Sequence, residues 1–395
     1  MRNNVSRRDF LKTTAAGASL LALGSPGVAR GYPANEKVPV GWLGVGGRGT
    51  GLLTTFVDNC PDARIVAVCD LIPERVEKGR KIAEKHKPAG YTDMREMMDK
   101  EKMEGILAIT ACCDHAKVAV PILEAGFHCF SEKPMDITVE AIDAITIAAR
   151  KAWKEKGKFY QIGTQRRYHP GYIACMKEIH GGLLGRITFM QGGWHWSNDP
   201  SAALVAKDGG RLIEQASHHM DVMAWVMKEQ HPLTCVAMGY QQYPDRFPGG
   251  PNVYTETMSA SIFQFPGGVL FSYTHLWLLP GKYDKEILTV FGEKGAVDLN
   301  QAHYYGRDEK EKQIAEPSGK DWGRGTTEEL QDFVENIKTG AKRLPNANVE
   351  TGRVCSLMCI MGRMAMVNKE KNAFEPRVIR WEDLKSKTDL PSNTA

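Results

Sequence analysis

Four side chains suited to acid–base or metal chemistry lie close together in the chain. They are Glu214, His218, His219 and Asp221, within the segment EQASHHMD that precedes an apolar, helix-like stretch. A histidine titrates near neutrality and can accept the proton of a substrate hydroxyl, while a carboxylate beside it orients the ring. Glu214 and His218 are four residues apart and would share one face of a helix. The spacing therefore favours an acid–base pair.

Two other interpretations of this segment remain open at the level of sequence. A metal site needs at least three convergent ligands, and only Glu214, His218 and Asp221 qualify, with no H-E-x-x-H or H-x-x-x-H pattern. We therefore predict no metal. Alternatively, Ser217 is only the N-cap of a helix, and the two histidines are ordinary packing or surface residues.

A glycine cluster upstream indicates a nucleotide site. Gly44, Gly46 and Gly49 form G-x-G-x-x-G between an apolar run and a helix-like pattern, and a second apolar run ends in Asp70, 21 residues after Gly49. Such glycines allow a tight turn and close approach to a pyrophosphate. An acid at this distance binds an adenosine ribose and repels a 2′-phosphate. The pattern predicts NAD rather than NADP.

Strand-like and helix-like segments continue to alternate after Asp70, as in GILAIT (105–110), KVAVPILEAG (117–126) and HCFSEKP (128–134). This alternation predicts a doubly wound parallel sheet, whose ligands lie outside the carboxyl ends of the strands. Beyond residue 186, alternating polar and apolar residues predict a mostly antiparallel sheet with one face covered. The expected fold class is therefore α/β, with an N-terminal Rossmann sheet and a C-terminal α+β domain built on an open sheet.

The N-terminus has the pattern of an export signal. SRRDFLK (6–12) carries paired arginines and is followed by a mildly apolar stretch shorter than the roughly 20 residues needed to cross a bilayer. It resembles a twin-arginine signal. We expect a periplasmic or secreted protein with no membrane segment after signal removal. The predicted domains are the signal (1–32), an NAD-binding domain (36–160), a substrate-binding domain (161–385) and a tail (386–395).

The charge distribution argues against a nucleic-acid partner. The formal net charge is +4, but residues 1–30 hold five cations and one anion, so 46 basic and 46 acidic residues remain in the body. A neutral body offers no basic stripe to neutralise phosphates.

Several of these motifs together resemble the Gfo/Idh/MocA family, the glucose–fructose oxidoreductase and inositol dehydrogenase relatives. They are the glycine loop, VCD at 68–70, DHAKVAVPILEAGFHCFSEKP at 114–134 and GTQRR at 163–167, and the resemblance runs from about Val38 to Trp381. It implies that the EKP lysine, Lys133, lies beside the nicotinamide and contacts the hydroxyl being oxidised. It also implies that His218 is the catalytic histidine. Glu214 replaces the family's usual aspartate.

The resemblance implies further site residues. Cofactor contacts fall on Gly44, Gly46, Gly47, Arg48, Gly49, Asp70, Thr110, His115, Glu132 and Lys133. Substrate contacts fall on Arg167, His195 and His219, where His219 occupies the position of an asparagine in a secreted subgroup. Many members have Thr-Pro where this chain has Thr110-Ala111, which alters one nucleotide contact. A homo-oligomer, dimer or tetramer, is also implied.

These observations predict an exported NAD-dependent oxidoreductase that oxidises a ring hydroxyl of a sugar or glycoside, with C3 as the first candidate carbon. The twin-arginine route carries folded proteins, which favours tightly bound NAD(H). One alternative is a redox-neutral, NAD-dependent glycoside hydrolase or epimerase with a trapped cofactor. Another is a non-catalytic sugar-binding protein on the same fold.

Overall fold

The computed structural model describes residues 36–197, 209–242, 256–277, 279–317 and 325–388. The predicted signal segment, 1–32, and residues 389–395 of the predicted tail lie outside them. No helix in the described ranges is long and apolar enough to span a membrane.

The first half of the chain alternates strands with helices. Its strands are β1 (Val38–Leu43), β2 (Ala63–Cys69), β3 (Ala89–Tyr91), β4 (Gly105–Ala108), β5 (His128–Glu132) and β6 (Tyr160–Gly163). Its helices are α1 (Gly47–Asn59), α2 (Pro73–Ile82), α3 (Met94–Lys100), α4 (His115–Ala125) and α5 (Val139–Lys156). All strand pairs are parallel, in the order β3-β2-β1-β4-β5-β6. This order confirms the predicted doubly wound sheet.

The second half is built on a larger sheet. The elements before and within that sheet are α6 (Pro170–His180), β7 (Ile187–His195), α7 (Arg211–Glu214), α8 (Ser217–Val226), β8 (Thr234–Tyr240), β9 (Met258–Gln264), β10 (Leu270–Leu276), β11 (Lys285–Gly292), β12 (Gly295–Asp298), β13 (His303–Gly306) and β14 (Glu311–Gln313). The remaining elements are α9 (Thr326–Lys338), α10 (Val349–Met366), β15 (Val367–Asn368), β16 (Ala373–Phe374) and β17 (Val378–Arg380). The nine strands run β14-β13-β12-β11-β7-β10-β9-β8-β17, and only β7 and β10 pair in parallel. The mostly antiparallel sheet is confirmed.

Helix α10 joins the two halves. Sixteen of its eighteen residues, Arg353 and Arg363 among them, are buried, so the helix is enclosed on every side rather than along one stripe. It packs against α5 and β6 of the first half and against α8 and β8 of the second. The hydroxyl of Ser356 on α10 accepts a hydrogen bond from the backbone N–H of Met135, at 2.9 Å. The loop after β5 is thereby fixed relative to the second sheet.

A row of three side chains crosses the centre of the second sheet. Trp194 on β7 lies opposite Glu286 on β11 and opposite His275 on β10. Directly paired residues of neighbouring strands project from the same face. The ring of His219 on α8 lies 5.1 Å from the ring of Trp194, centroid to centroid, so this face is the one that α8 covers.

The turn between β1 and α1 requires glycine at two positions. Gly44 has a φ of +95°, and a Cβ there would lie 2.1 Å from the carbonyl oxygen of Ile109. A Cβ on Gly49 would lie 2.3 Å from the carbonyl oxygen of Gly44. A Cβ on Gly47 would meet no atom within 4 Å. The loop therefore passes directly against the end of β4.

We expect Gly44→Ala to lower the free energy of unfolding by about 2 kcal/mol or more, because the left-handed backbone and the Ile109 contact both oppose a side chain. Gly47→Ala is the matched control and should change it by less than about 0.5 kcal/mol. Urea denaturation of both variants measures the difference. Equal stability of the two would show that the turn tolerates a Cβ by moving.

Candidate active site

The centre of the site is an ion pair between the two halves of the chain. The Nζ of Lys133, just after β5, donates to Oε1 of Glu214 at 2.8 Å and to the backbone carbonyl of Glu214 at 2.8 Å. The Lys133 side chain is 11% exposed. Burial alone would lower the pKa of Lys133, but the Glu214 carboxylate overrides it and the pKa is raised. Lys133 is therefore a cation at neutral pH.

This ion pair coincides with a break in the helix. In a continuous α-helix the carbonyl of Glu214 would accept the N–H of His218. Instead that carbonyl accepts Lys133 Nζ and the hydroxyl of Ser217, and the N–H of His218 turns to the carbonyl of Gln215. Helix α7 consequently ends at Glu214, and α8 begins at Ser217. Ser217 is thus the first residue of α8 and not its N-cap, which is Ala216.

The break between α7 and α8 separates Glu214 from His218, the two residues predicted from their spacing to form an acid–base pair. The second carboxylate oxygen of Glu214 accepts Nη1 of Arg211 at 3.0 Å. Burial raises the pKa of Glu214, but Lys133 and Arg211 more than offset this and the net pKa is lowered. The Nδ1 atom of His218 has no hydrogen-bond partner in the described part of the chain. Glu214 is therefore the partner of Lys133, and the structure does not show it orienting His218.

His218 is a neutral imidazole beside several cations. Burial lowers its pKa well below the usual value, and the positive charges of Lys133 and Arg166 lower it further. Its ring lies 5.8 Å from the ring of Trp194. A neutral imidazole retains a lone pair that can accept a proton.

His219 lies deeper than its neighbour. It is fully buried, and its Nε2 is 3.2 Å from Oε2 of Glu286, which also accepts Nη2 of Arg166 at 2.7 Å. Burial lowers the pKa of His219 to about 4, and Arg166 contributes to this. Glu286 is therefore the residue that holds His219 in place. The His219 side chain has no exposed surface through which it could make the predicted contact with substrate.

Glu286 is absent from the residues predicted from sequence, although its position on β11 carries a signal. On β11, Glu286 has the same alternation phase as the buried Leu288 and Val290. An acid in the inward phase of an otherwise apolar strand is a candidate for a buried, paired charge.

Asp221 and Arg167 form a separate buried pair. Nε of Arg167 donates to both Asp221 oxygens, at 2.8 and 2.9 Å, and Nη1 donates to Glu229 at 2.8 Å. The Arg167 side chain is 3% exposed. Its guanidinium therefore holds α8 and is not presented to a substrate, in contrast to the sequence prediction. Of the two arginines, Arg166 is the one that reaches the histidines.

These pairings also bear on a metal site. Glu214 is engaged by Lys133 and Arg211, and Asp221 is engaged by Arg167. Across the described ranges, no group of three or more His, Cys, Asp or Glu side chains is arranged to hold a metal ion.

The third predicted substrate residue, His195, lies at the end of β7. Its Nε2 is 2.9 Å from the hydroxyl of Thr274, and the side chain is half-buried. Trp194 and Trp196 stack with their ring centroids 5.4 Å apart, so they share a face of the strand and His195 points from the other. Burial lowers the pKa of His195, with a contribution from Lys285.

The carboxyl edge of the parallel sheet carries the glycine loop and the open start of α1. Helix α1 begins after Gly46 with no side chain capping its N-terminus, and the nearest atom to a Cβ on Gly46 is 4.0 Å away on Arg75. An open helix N-terminus of this kind binds phosphate. Asp70, at the end of β2, accepts the backbone N–H of Val45 at 2.7 Å and that of Ile72 at 3.0 Å. Its carboxylate thereby ties the glycine loop to β2.

The other predicted cofactor residues link this edge to Lys133. Nε of Arg48 donates to Glu132 at 2.7 Å, and Glu132 also accepts the backbone N–H of Lys133 at 3.0 Å. His115 is fully buried, and its Nδ1 lies 2.6 Å from the carbonyl of Pro134 and its Nε2 3.4 Å from that of Thr110. These contacts position the loop that carries Lys133.

Both halves of the chain match models of known protein families. Residues 38–163 match the family described as oxidoreductase family, NAD-binding Rossmann fold, and residues 172–298 match the GFO/IDH/MocA C-terminal domain. Residues 4–24 match the twin-arginine translocation signal sequence.

Individual relatives are similar to this chain over only part of its length. An inositol 2-dehydrogenase of Salmonella typhimurium is 29% identical over 192 residues, covering 48% of this chain and 55% of that protein. A glycosyl hydrolase family 109 protein of Bacteroides thetaiotaomicron is 33% identical over 180 residues, covering 42% and 38%. The chain thus spans about half the length of the curated relatives it matches first. A scyllo-inositol dehydrogenase structure from Lactobacillus casei, with bound NAD(H) and scyllo-inositol, superposes with a TM-score of 0.69 at 17% identity, covering 88% of this chain and 99% of that one.

The buried imidazoles predict acid sensitivity. His219 and His275 have pKa values lowered to about 4 and about 3, first by burial and then by Arg166 and Arg211, respectively. Unfolded histidines bind protons near pH 6.5 while these remain neutral, so stability is full above that pH and is lost as pH falls toward 4. Each proton difference contributes a slope of up to about 1.4 kcal/mol per pH unit.

We expect His219→Asn, which keeps a donor for Glu286, to reduce the pH dependence of the free energy of unfolding between pH 6.5 and 4.5. The reduction should be up to about 1.4 kcal/mol per pH unit, the contribution of one proton. Denaturant unfolding of the variant and the wild type across this range gives both slopes. A variant slope equal to that of the wild type would contradict a neutral, buried His219.

Proposed function

The chain belongs to the Gfo/Idh/MocA oxidoreductase family, and on that premise we propose that it is an exported NAD-dependent oxidoreductase acting on a sugar or glycoside. The reaction oxidises a ring hydroxyl to a ketone, with C3 of a glucoside as the first candidate. Relatives named inositol 2-dehydrogenase support a ring hydroxyl as the group that is oxidised. The twin-arginine signal at 4–24 supports export to the periplasm or the exterior.

One observation carries the proposal. The Nζ of Lys133 is held by the carboxylate and the carbonyl of Glu214, at the carboxyl end of β5 and beside the neutral ring of His218. A fixed cation stabilises the negative charge that develops on a hydroxyl oxygen as its proton leaves. A neutral imidazole nearby is the group able to receive that proton. We assign Lys133 to hold the reacting oxygen and His218 to act as general base.

Glu214 has a supporting role in this scheme. Its two oxygens are occupied by Lys133 and Arg211, so its carboxylate orients the ammonium instead of accepting the substrate proton. Its longer side chain relative to aspartate suits this reach, because Glu214 lies at the end of α7 and Lys133 on the facing loop.

The residues present fit a dinucleotide. The open N-terminus of α1 at Gly46, Gly47 and Arg48 would hold the pyrophosphate, and Asp70 would bind the adenosine ribose. When bound, the nicotinamide supplies the acceptor for the hydride that leaves the substrate carbon. Export of a folded protein favours tight retention of NAD(H), and a homo-oligomer remains the assembly we propose.

The test uses protein lacking residues 1–32 and a panel of methyl glucosides and inositols with added NAD, monitored by NADH absorbance. We expect turnover by the wild type and a fall in kcat of roughly 10²- to 10⁴-fold in His218→Ala, since general-base assistance is lost. Lys133→Met should show a fall of at least that size.

Lys117→Met is the matched control, because Lys117 is an exposed lysine on α4 that pairs only with Asp114 among the described residues. It should keep wild-type kcat. Full turnover by His218→Ala would remove His218 from the mechanism, and any measurable turnover by the wild type would eliminate a purely sugar-binding role.

A redox-neutral reaction is the second candidate, and one observation favours it. The relative that is 33% identical over 180 residues is named a glycosyl hydrolase family 109 protein. For such a reaction the dinucleotide held at Gly46, Gly47 and Arg48 would supply both the acceptance of hydride and its return, so that no outside oxidant is needed.

Near-stoichiometric NAD(H) in freshly purified protein, measured by heat release and mass spectrometry, is expected for this second candidate. Cleavage of nitrophenyl glycosides without added NAD, with deuterium exchange at the carbon next to the transient ketone, would establish it. Empty protein that reduces added NAD would instead support net oxidation.

A further inference from the structure

We propose that Gln215 is a specificity-determining residue whose side-chain NH2 group donates a hydrogen bond to an oxygen of the ring substrate, next to the hydroxyl held by Lys133. This inference rests on the proposed function for its substrate class. His275 and Trp277 fix the Gln215 amide, and Arg211 links Trp277 to the pair formed by Lys133 and Glu214.

The orientation of the Gln215 amide is fixed by its partners. Its Oε1 accepts Nε1 of Trp277 at 2.9 Å and lies 2.8 Å from Nε2 of His275. An indole N–H only donates, so the atom facing Trp277 must be the amide oxygen. The same oxygen can only accept, so His275 must donate to it from Nε2. Both lone pairs of the oxygen are used, and the NH2 branch points away from the sheet residues that hold it.

The partners of Gln215 are rigid. His275 is fully buried and Trp277 is 8% exposed. Burial lowers the pKa of His275 to about 3, with a contribution from Arg211, so the ring is neutral and keeps its Nε2–H tautomer through the neutral range. Gln215 itself is half-buried, and its NH2 group has no partner in the ranges that the structure describes. The Gln215 amide thus presents two N–H donors that no acceptor among the described residues engages.

Gln215 directly follows Glu214 at the break between α7 and α8. The Glu214 side chain binds Lys133, whereas the Gln215 side chain binds His275 on β10 and Trp277 just after it. Arg211 connects the two arrangements, because its guanidinium donates to Glu214 and lies 4.6 Å above the ring of Trp277. Lys133, Glu214, Arg211, Trp277 and Gln215 thus form one continuous network.

A pair of preset donors selects for a substrate oxygen at that point. A site built to hydrogen-bond a polar group discriminates strongly against molecules that lack it, because its donors are then left unpaired. Ring alcohols with a hydroxyl on the carbon adjacent to the reacting one meet this requirement. The corresponding deoxy compounds do not.

The test compares Gln215→Glu with Gln215→Met in signal-free protein. Glutamate keeps an oxygen for Trp277 and His275 but replaces the NH2 donors with an acceptor, whereas methionine removes both functions. The probes are methyl β-glucoside, myo-inositol and scyllo-inositol, measured by calorimetric binding in the presence of NAD and by steady-state kinetics. Gln301→Glu, an exposed position between β12 and β13, is the matched charge control.

We expect Gln215→Glu to weaken binding and raise KM roughly 10- to 100-fold for the probe that the wild type binds best, with a smaller change in kcat. NAD affinity and the melting temperature should stay at wild-type values, and Gln301→Glu should behave as the wild type. Unchanged binding and KM in Gln215→Glu would overturn the assignment. A parallel loss of NAD affinity and thermal stability would also overturn it, because the role would then be structural.

Failure of the proposed function gives a different result. If the wild type binds a probe without turnover, oxidation is excluded for that probe, and a loss of binding in Gln215→Glu still supports the donor role. Absence of binding by the wild type to all three probes would overturn the inference for ring alcohols.

Discussion

The organisation of this site depends on the double attachment of the Lys133 ammonium to Glu214. One bond goes to the carboxylate and the other to the backbone carbonyl, and together they join the end of β5 to the end of α7. A buried ammonium is stable only with compensating acceptors, so the fold must supply both. The cost is an interrupted helix, because the carbonyl that binds Lys133 is the one that a continuous helix would use. The interruption in turn sends Glu214 and Gln215 in different directions.

The second sheet provides a rigid surface for these groups. Glu286, Trp194 and His275 lie opposite one another on three neighbouring strands, and each supports a different part of the site. Glu286 holds His219, Trp194 lies against the two histidine rings of α8, and His275 holds Gln215. Because side chains opposite one another in a sheet have fixed spacing, small shifts of one would disturb its neighbours.

Each of four cations at the site has a carboxylate partner. Lys133 and Arg211 share Glu214, Arg166 pairs with Glu286, and Arg48 pairs with Glu132. The imidazoles between them are neutral because burial and the surrounding cations lower their pKa values. This pairing is consistent with the uncharged ring alcohol that we propose as substrate, because hydroxyl groups bind to paired donors and acceptors without requiring a counter-charge.

Local sequence was sufficient for the fold class and for the alternation of strands and helices in the first half. Apolar periodicity predicted the alternating strands and helices, and the glycine spacing predicted the turn in which Gly44 and Gly49 meet backbone atoms. It also placed Lys133 after β5, at the edge where ligands of such sheets bind. These features depend on residues a few positions apart, which is the range over which periodicity and turn chemistry act.

The choice of partners was decided only by the tertiary structure. Spacing paired Glu214 with His218, yet Glu214 binds Lys133, 81 positions away, and the predicted substrate residue Arg167 binds Asp221, 54 positions away. Glu286 reaches Arg166 across 120 positions. Any of several cations could neutralise a given carboxylate, and the selection follows from which strand ends and helix ends the packed core brings within 3 Å. Local sequence does not encode that proximity, because it is set by the register of the second sheet and by α10 between the two halves.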